Sequence, residues 1–503
     1  MSWSNLQPQE NSAIKNIVIL GADIIGWCAA VGLARGLQGQ QVNITVLDCL
    51  LNERPLNQPS LTQSANEAVI HCTAHLFDFH RLLGIQDKQL LVNGSAKLCS
   101  ATQLTNFSAQ HSDYFIGCEN TLPNFCTVEL HQVLQWLEID DISPYSLSAL
   151  AAQKSLLALP ANSKDEIAAG FSPSLNLDAK AYLRFMQGAA SQLGVKLIKA
   201  TVSDIRYHSE NGFIKQFELD NGTTIDADLV LDNSGPTGVL NEINQQRPYV
   251  DCATLIPFDK KISTRLNITQ QAKPYQQFIA TAEGIVEISF MPQFHEISLY
   301  YASTSTSDEQ AQYQLRKFAP QSEPLELKQV QYAYTEQAMF KNCFALGTTA
   351  GYLGSSPFSN LILCQRSISK LLDLFPGKAC LATNSAELNR RIAKDYQQAL
   401  DYSLLMLLYA EGQPSFSWQL SQQQLPAILQ QKITLFSSSG RVASELNPLV
   451  SRIRWLTLLK HKVLDRHGYE PVLDALDKSN ARQFLLQLSL KIQQCLSHYR
   501  PYN

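Results

Sequence analysis

The chain has 503 residues, with 44 acidic against 40 basic side chains and a formal charge of −4. A composition of 45% apolar and 17% charged residues belongs to a globular protein with a large core and excludes disorder, collagen or coiled coil as the main architecture. Without a basic block there is no electrostatic footprint for phosphate backbones or anionic surfaces, so neither nucleic acid nor a membrane is expected as a partner.

Eleven cysteines without a CxxC pair read as reduced thiols of a cytoplasmic protein. The opening MSWSNLQPQENSAIKN lacks the apolar stretch of a secretory signal. The densest apolar run, Leu404 to Tyr409, falls far short of the roughly 18 residues that span a bilayer.

From Lys15 the run KNIVILGADIIGWCAAVGLARGL predicts a strand, a glycine turn and a helix. A second strand, Val42 to Leu47, ends at Asp48, which completes a βαβ unit with an acid at the tip of its second strand. This is the outline of a dinucleotide site, with Gly21, Ala22, Ile25 and Gly26 at the turn. Asp23 stands where such a turn uses its second glycine. A carboxylate beside a diphosphate is repelled, so either Asp23 turns outward or dinucleotide binding is weakened or lost.

His71, Cys72 and His75 place two imidazoles one helical turn apart with a thiol alongside, a zinc-compatible spacing. No third and fourth ligands follow in order, so a helix-surface pair is expected and no metal is assigned. After Asn176 the chain predicts an amphipathic helix and then two Asn-Gly turns between alternating strands. The strand DLVLD leads into a small-residue turn at Asn233, Ser234 and Gly235, where an α/β sheet places ligands. Residues 250–345 alternate as antiparallel strands of a second layer. Beyond Phe344 a strand, a loop containing Gly347 and Gly351, and a helix follow. Ser355, Ser356 and Ser359 belong to a glycine and serine loop, since no G-x-S-x-G elbow is present. The pattern beyond Ala386 is helical.

Taken in order, these segments resemble the flavin-dependent tryptophan halogenases over nearly the entire chain. IVILGADIIGW is similar to the family's FAD turn and the tryptophan after it, here Trp27. Asn66 to Ile70 (NEAVI) is similar to the family's Gly-Glu-Ala-Thr-Ile segment, with Glu67 keeping the acid. Lys97, in GSAKLCSATQL, falls at the catalytic lysine. ADLVLDNSG is similar to the Asp-Cys-Ser-Gly turn, and ALGTTAGYLGSSPFSNL to the loop that precedes the catalytic glutamate.

The resemblance implies a flavoprotein monooxygenase-like α/β fold: a Rossmann-type FAD-binding module with an antiparallel β substrate layer and a C-terminal helical region. Its expected bounds are residues 1–385 for the module, with the layer interleaved at about 80–165 and 250–345, and 386–503 for the helices. It implies FADH₂ from a separate reductase, O₂, chloride or bromide, and halogenation or oxygenation of a small aromatic substrate such as tryptophan. Lys97 is then catalytic. Gly21, Ala22, Ile25, Gly26, Trp27, Asp48, Glu67, Ser234, Gly235, Gly347 and Gly351 face the flavin, and Ser359 and Asn360 the halide. A homodimer is compatible with this reading.

The chain departs from the pattern at specific places. Ile285 and Glu287 stand where the family has the two tryptophans of Trp-x-Trp-x-Ile-Pro. Pro357 replaces the catalytic glutamate, and Ser359 with Asn360 replaces Thr-Gly. The alternative expectation is therefore a catalytically inactive halogenase-fold protein that acts as a binding or regulatory module.

Overall fold

The computed structural model describes residues 13–49, 67–107, 113–159, 166–267, 272–320, 322, 325–354, 357–408, 416–443, 447–463 and 468–502. The readings made at residues 1–12 and at Asn66, Ser355, Ser356 and Tyr409 lie outside the described residues.

The strand Asn16–Leu20, rich in β-branched residues, runs parallel to Asn43–Cys49 on one side and to Leu229–Asp232 on the other. Lys196–Ala200 and Cys343–Ala345 extend the sheet in parallel, and the short Met339–Phe340 closes one edge to make six strands. Parallel strands covered on both faces read as unbroken apolar runs. The helix Ile24–Gly36 packs against the helices Ala179–Gln192 and Asn360–Asp373 and is buried from Ile24 through Leu33. Encasement of this kind removes the need for a polar stripe, so the sequence shows little helical alternation there.

Cys343–Ala345 is a correction to the expected second layer: it pairs in parallel with Leu229–Asp232 and so belongs to the first sheet. Its fully buried CFA run carries the signature of a parallel strand. The second sheet has seven strands in the order Glu326–Gln329, Lys260–Asn267, Phe294–Tyr301, Gly284–Phe290, Tyr275–Ala280, Ala101–Thr105 and Asp113–Gly117. All its pairings are antiparallel except that between Tyr275–Ala280 and Ala101–Thr105. Phe294–Tyr301 is buried along its whole length, so both of its faces are covered.

A three-stranded sheet joins Val69–Cys72, Ser174–Asp178 and Ala96–Cys99. This corrects the expected helical histidine pair, because His71 and Cys72 lie on a strand while His75 opens the helix His75–Leu83. The break between strand and helix removes the one-turn spacing on which the zinc reading rested. The predicted amphipathic helix begins at Ala179, where the Asp178 carboxylate accepts the Ala181 N–H at 2.8 Å.

The helix Ala382–Leu407 starts just ahead of the expected boundary. Its Leu388 and Leu404, with Trp418 and Leu456 further on, share one hydrophobic core with Ile19 and Val46 of the parallel sheet. The strand Arg500–Pro501 pairs with Leu156–Leu157. No helix among the described residues is long and apolar enough to cross a membrane.

Candidate functional site

The glycine turn sits where the parallel sheet meets its first helix. A Cβ on Gly26 would lie 2.0 Å from the Gly21 carbonyl oxygen, so close approach of helix and turn requires glycine there. Asp23 has extended backbone and caps the helix. Its Oδ1 accepts the Ile25 N–H at 2.9 Å, the Gly26 N–H at 3.1 Å and the Asn233 side-chain N–H at 2.6 Å.

Asn233 follows the strand Leu229–Asp232 and ties the loops together. A Cβ on Gly21 would meet its carbonyl oxygen at 2.8 Å, and one on Gly347 its Oδ1 at 1.9 Å. The neighbouring turn is satisfied from within. Asp232 accepts from the Ser234 hydroxyl at 2.7 Å and from Asn244 at 2.9 Å, Ser234 Oγ accepts the Val239 N–H at 2.9 Å, and the Gly235 N–H reaches Thr349 Oγ1 at 2.9 Å. The Gly347 N–H meets Cys364 Sγ at 3.2 Å, and Gly351 lies so near Tyr334 that a Cβ would stand 2.6 Å from that residue's own.

A diphosphate at such a turn takes the free N–H groups of the first helical turn. Here the N–H groups of Ile25 and Gly26 are donated to Asp23, whose carboxylate fills the anion's place, and a second anion would meet like charge. The residues present do not fit a dinucleotide diphosphate at this turn. Space does exist at loops that follow strands of the parallel sheet, although no residue of the turn lines it. One cleft of about 600 Å³ lies beside Cys49, Val202 and Glu242. Another of about 320 Å³ lies between Thr237, Tyr249, Thr348 and Tyr352. Asp48, the last residue but one of the second strand, is half-buried, and Trp27 is buried in the helix.

The antiparallel sheet holds a second constellation, which sequence reasoning missed. Its registers pair Lys261 with Tyr300, Glu287 with Ser298 and Ser289 with Glu296, and the period of two turns these side chains to one face. With Glu67 they line a cavity of about 40 Å³ that His71, Tyr352, Ser359 and Asn360 also border. Lys261 Nζ lies 3.5 Å from Glu67 Oε1, Gln276 donates to Glu287 at 2.6 Å, and Glu296 accepts the Val69 N–H at 2.6 Å.

Burial pushes Glu296 up to about 7 and raises Glu287, with the nearby Glu67 adding to both and Lys261 opposing. Burial works against the charge on Lys261, yet the surrounding carboxylates outweigh it and hold the ammonium well above its ordinary range. His71 is pushed down to about 4 by burial, with the charge of Arg454 adding to the fall.

Of the expected site residues, Glu67, Ser359 and Asn360 border this cavity. Asn360 opens the helix that Ser359 precedes. Lys97 does not line it: the half-buried side chain places Nζ 4.1 Å from the centre of the Tyr502 ring, and burial lowers its basicity. In the three-stranded sheet Lys97 and His71 both pair with Asn176, so Lys97 stands two strands from a cavity residue. Glu287 lies in the cavity wall, while Ile285 joins the main hydrophobic core. The one sequence signal for Lys261 and Glu296 is a charged residue in the inward phase of a strand, and that phase becomes readable only once the register is known.

A six-stranded, largely parallel sheet with a glycine turn, an antiparallel second sheet and a helical C-terminal region define the architecture of the flavin-dependent halogenases. The family model described as tryptophan halogenase matches residues 16–478, and the chain belongs to that family. It is 22% identical over 450 residues to the tryptophan 7-halogenase RebH of Lentzea aerocolonigenes, covering 84% of this chain and 82% of that protein. It superimposes on BrvH, a flavin-dependent halogenase from Brevundimonas sp. BAL3, with a TM-score of 0.86 at 19% identity over 97% of this chain and 98% of that one. Xcc4156, a flavin-dependent halogenase from Xanthomonas campestris, gives 0.85 at 22% identity over 97% of each chain. At these identities the structural likeness shows the fold.

Proposed function

We propose that this chain is a member of the halogenase family that works as a binding protein without FAD seated at its glycine turn. One observation carries the reading: the Asp23 carboxylate already takes the N–H groups of Ile25 and Gly26 and is itself held by Asn233. Three further features support it. The cavity beside Ser359 and Asn360 is lined by three glutamates and a single lysine, a charge balance that opposes a chloride or bromide ion once Glu287 and Glu296 are ionised. Pro357 offers no titratable group where the family has its glutamate. Lys97 rests on Tyr502 rather than in the cavity. The test is titration of the purified protein with FAD and, without oxygen, with FADH₂, beside an Asp23→Gly variant. Absent binding by the unaltered protein with binding gained in the variant is expected, and micromolar binding by the unaltered protein overturns the reading.

The second reading is the family activity itself, halogenation or oxygenation of an aromatic substrate such as tryptophan with reduced flavin from a separate reductase and O₂. The two clefts favour it, since they lie at loops that follow strands of the parallel sheet, where α/β proteins bind their ligands. It requires Asp23 to leave the helix. A halide-dependent mass gain on an indole or phenol, with reductase present, identifies it. Cytoplasmic location is an expectation common to both readings.

A further inference from the structure

We infer that the cavity between Glu67, Glu287, Glu296, Gln276 and His71 is a binding site for a small primary ammonium group. The inference rests on the residues that line the cavity and on the bare acceptors among them, and stands apart from the question of flavin.

Hydrogen-bond bookkeeping fixes the orientation of His71. Asn176 donates its side-chain N–H to the Phe290 carbonyl at 3.1 Å, which turns its oxygen toward His71 Nδ1 at 2.8 Å. Nδ1 therefore carries the proton, and Nε2 is left as a bare acceptor. Nε2 is buried without a hydrogen-bond partner in a residue only 5% exposed. Gln276 repeats the arrangement. Its N–H goes to Glu287 at 2.6 Å, while its Oε1 has no partner in a residue 1% exposed. Both residues line the cavity with the glutamates. Acceptors left bare in a buried site are costly, and a donor-rich guest removes that cost.

Charge selects the guest. Three glutamates face one ammonium, that of Lys261, so with Glu287 and Glu296 ionised the site takes a further positive charge and repels a halide. An ammonium head brings three donors and no acceptor, the complement of this wall. Size agrees, because about 40 Å³ accommodates an ammonium or methylammonium head, whereas an engineered cavity that takes a benzene ring is roughly 150 Å³. Among the described residues no group of three or more His, Cys, Asp or Glu side chains is placed to hold a metal ion. Tyr352 borders both this cavity and the cleft beside Thr348, so one side chain lies between the two.

Binding is coupled to protons. Burial pushes Glu296 up to about 7 and raises Glu287, and a guest cation favours their ionised forms, so its binding releases protons and tightens as pH rises. The other titratable groups on the wall do not reverse the sign. His71 is neutral at these pH values, Lys261 stays protonated, and burial holds Tyr300 and Tyr352 in the phenol form.

The test is calorimetric titration of the full chain, free of flavin, with ammonium, methylammonium and tetramethylammonium chlorides and with sodium bromide at constant ionic strength. Saturable binding of ammonium and methylammonium is expected, with none of tetramethylammonium or bromide. Methylammonium binding the tighter of the two marks an amine tail as the natural source, and ammonium the tighter marks the free ion. Affinity is expected to rise from about pH 6 to about pH 8 with proton release. Glu296→Gln and His71→Phe are each expected to weaken binding about tenfold. Gln276→Leu supplies the same reading if either fails to fold. No saturable binding, equal binding of tetramethylammonium, or unchanged affinity in the folded variants overturns the proposal.

Discussion

Asn233 Nδ2 lies 2.6 Å from Asp23 Oδ1, so the residue after one strand of the parallel sheet fixes the carboxylate that caps the helix after another. The contact spans the crevice in which α/β proteins of this kind place a dinucleotide. On the reading proposed above, it turns a ligand site into an internal hydrogen-bonded junction.

Removing Asp23 should move stability and flavin binding in opposite directions. Asp23→Ala loses an N-cap and leaves Asn233 without its acceptor, a cost of about 1–2 kcal/mol. Denaturant titration of this variant is expected to show a lower midpoint at unchanged slope. Flavin titration of the same sample is expected to show a gain. A variant as stable as the parent would mean that the cap contributes nothing.

The cavity glutamates predict a pH dependence whose sign follows from their direction of shift. Burial in the fold pushes Glu296 up to about 7 from an ordinary value of 4.5. Between these values the folded state binds more protons than the unfolded one, so this group's contribution to stability is full below about 4.5 and is lost as pH rises through about 7. His71, His131 and His295, each pushed down to about 4 by burial, act with the opposite sign between about 4 and 6.5. The informative quantity is therefore the difference between the parent and Glu296→Gln. The parent is expected to lose on the order of 2 kcal/mol relative to the variant from about pH 4.5 to about pH 7.5, measured by urea unfolding. A constant difference across that range counts against the cavity assignment.

The Lys97 and Tyr502 pair predicts a measurable coupling. The ammonium stands over the ring at 4.1 Å, and Tyr502 also donates its hydroxyl to the Leu98 carbonyl at 2.5 Å and its N–H to Ser155 at 2.9 Å. A double-mutant cycle with Lys97→Met and Tyr502→Leu should give a coupling of about 0.5–1 kcal/mol, typical of a partly exposed cation over an aromatic face. Zero coupling would make Lys97 a bystander to the ring.

Much of this fold was legible in the sequence because the signals were local. NIVIL before a glycine turn, the Asn-Gly hairpins and the helical pattern beyond Ala386 each depend on a few adjacent residues. Cys343–Ala345 was misassigned because a short buried run does not say which sheet it joins. Asp23 was legible as an anomaly, whereas its outcome needed Asn233, which is far away in the chain. The cavity was hidden for the same reason. Lys261, Glu287 and Glu296 come from three strands, and a slip of one residue in any register would send that side chain to the opposite face.

Gly347→Ala tests the junction from its other side. Gly347 has φ of +56°, and a Cβ there would stand 1.9 Å from Asn233 Oδ1, the amide whose Nδ2 holds Asp23. Gly39 is the control: it also has positive φ, +91°, but a Cβ on it would meet nothing within 4 Å. Gly39→Ala should therefore cost only the left-handed backbone strain, about 1 kcal/mol. Gly347→Ala should cost that strain plus the displacement of Asn233, about 3 kcal/mol or more in all, by denaturant titration. Asp23 keeps its two helix N–H donors when Asn233 moves, so flavin affinity is expected to stay at the parent's level. A gain in flavin affinity comparable to that of Asp23→Gly would transfer the gating role from the carboxylate to the asparagine.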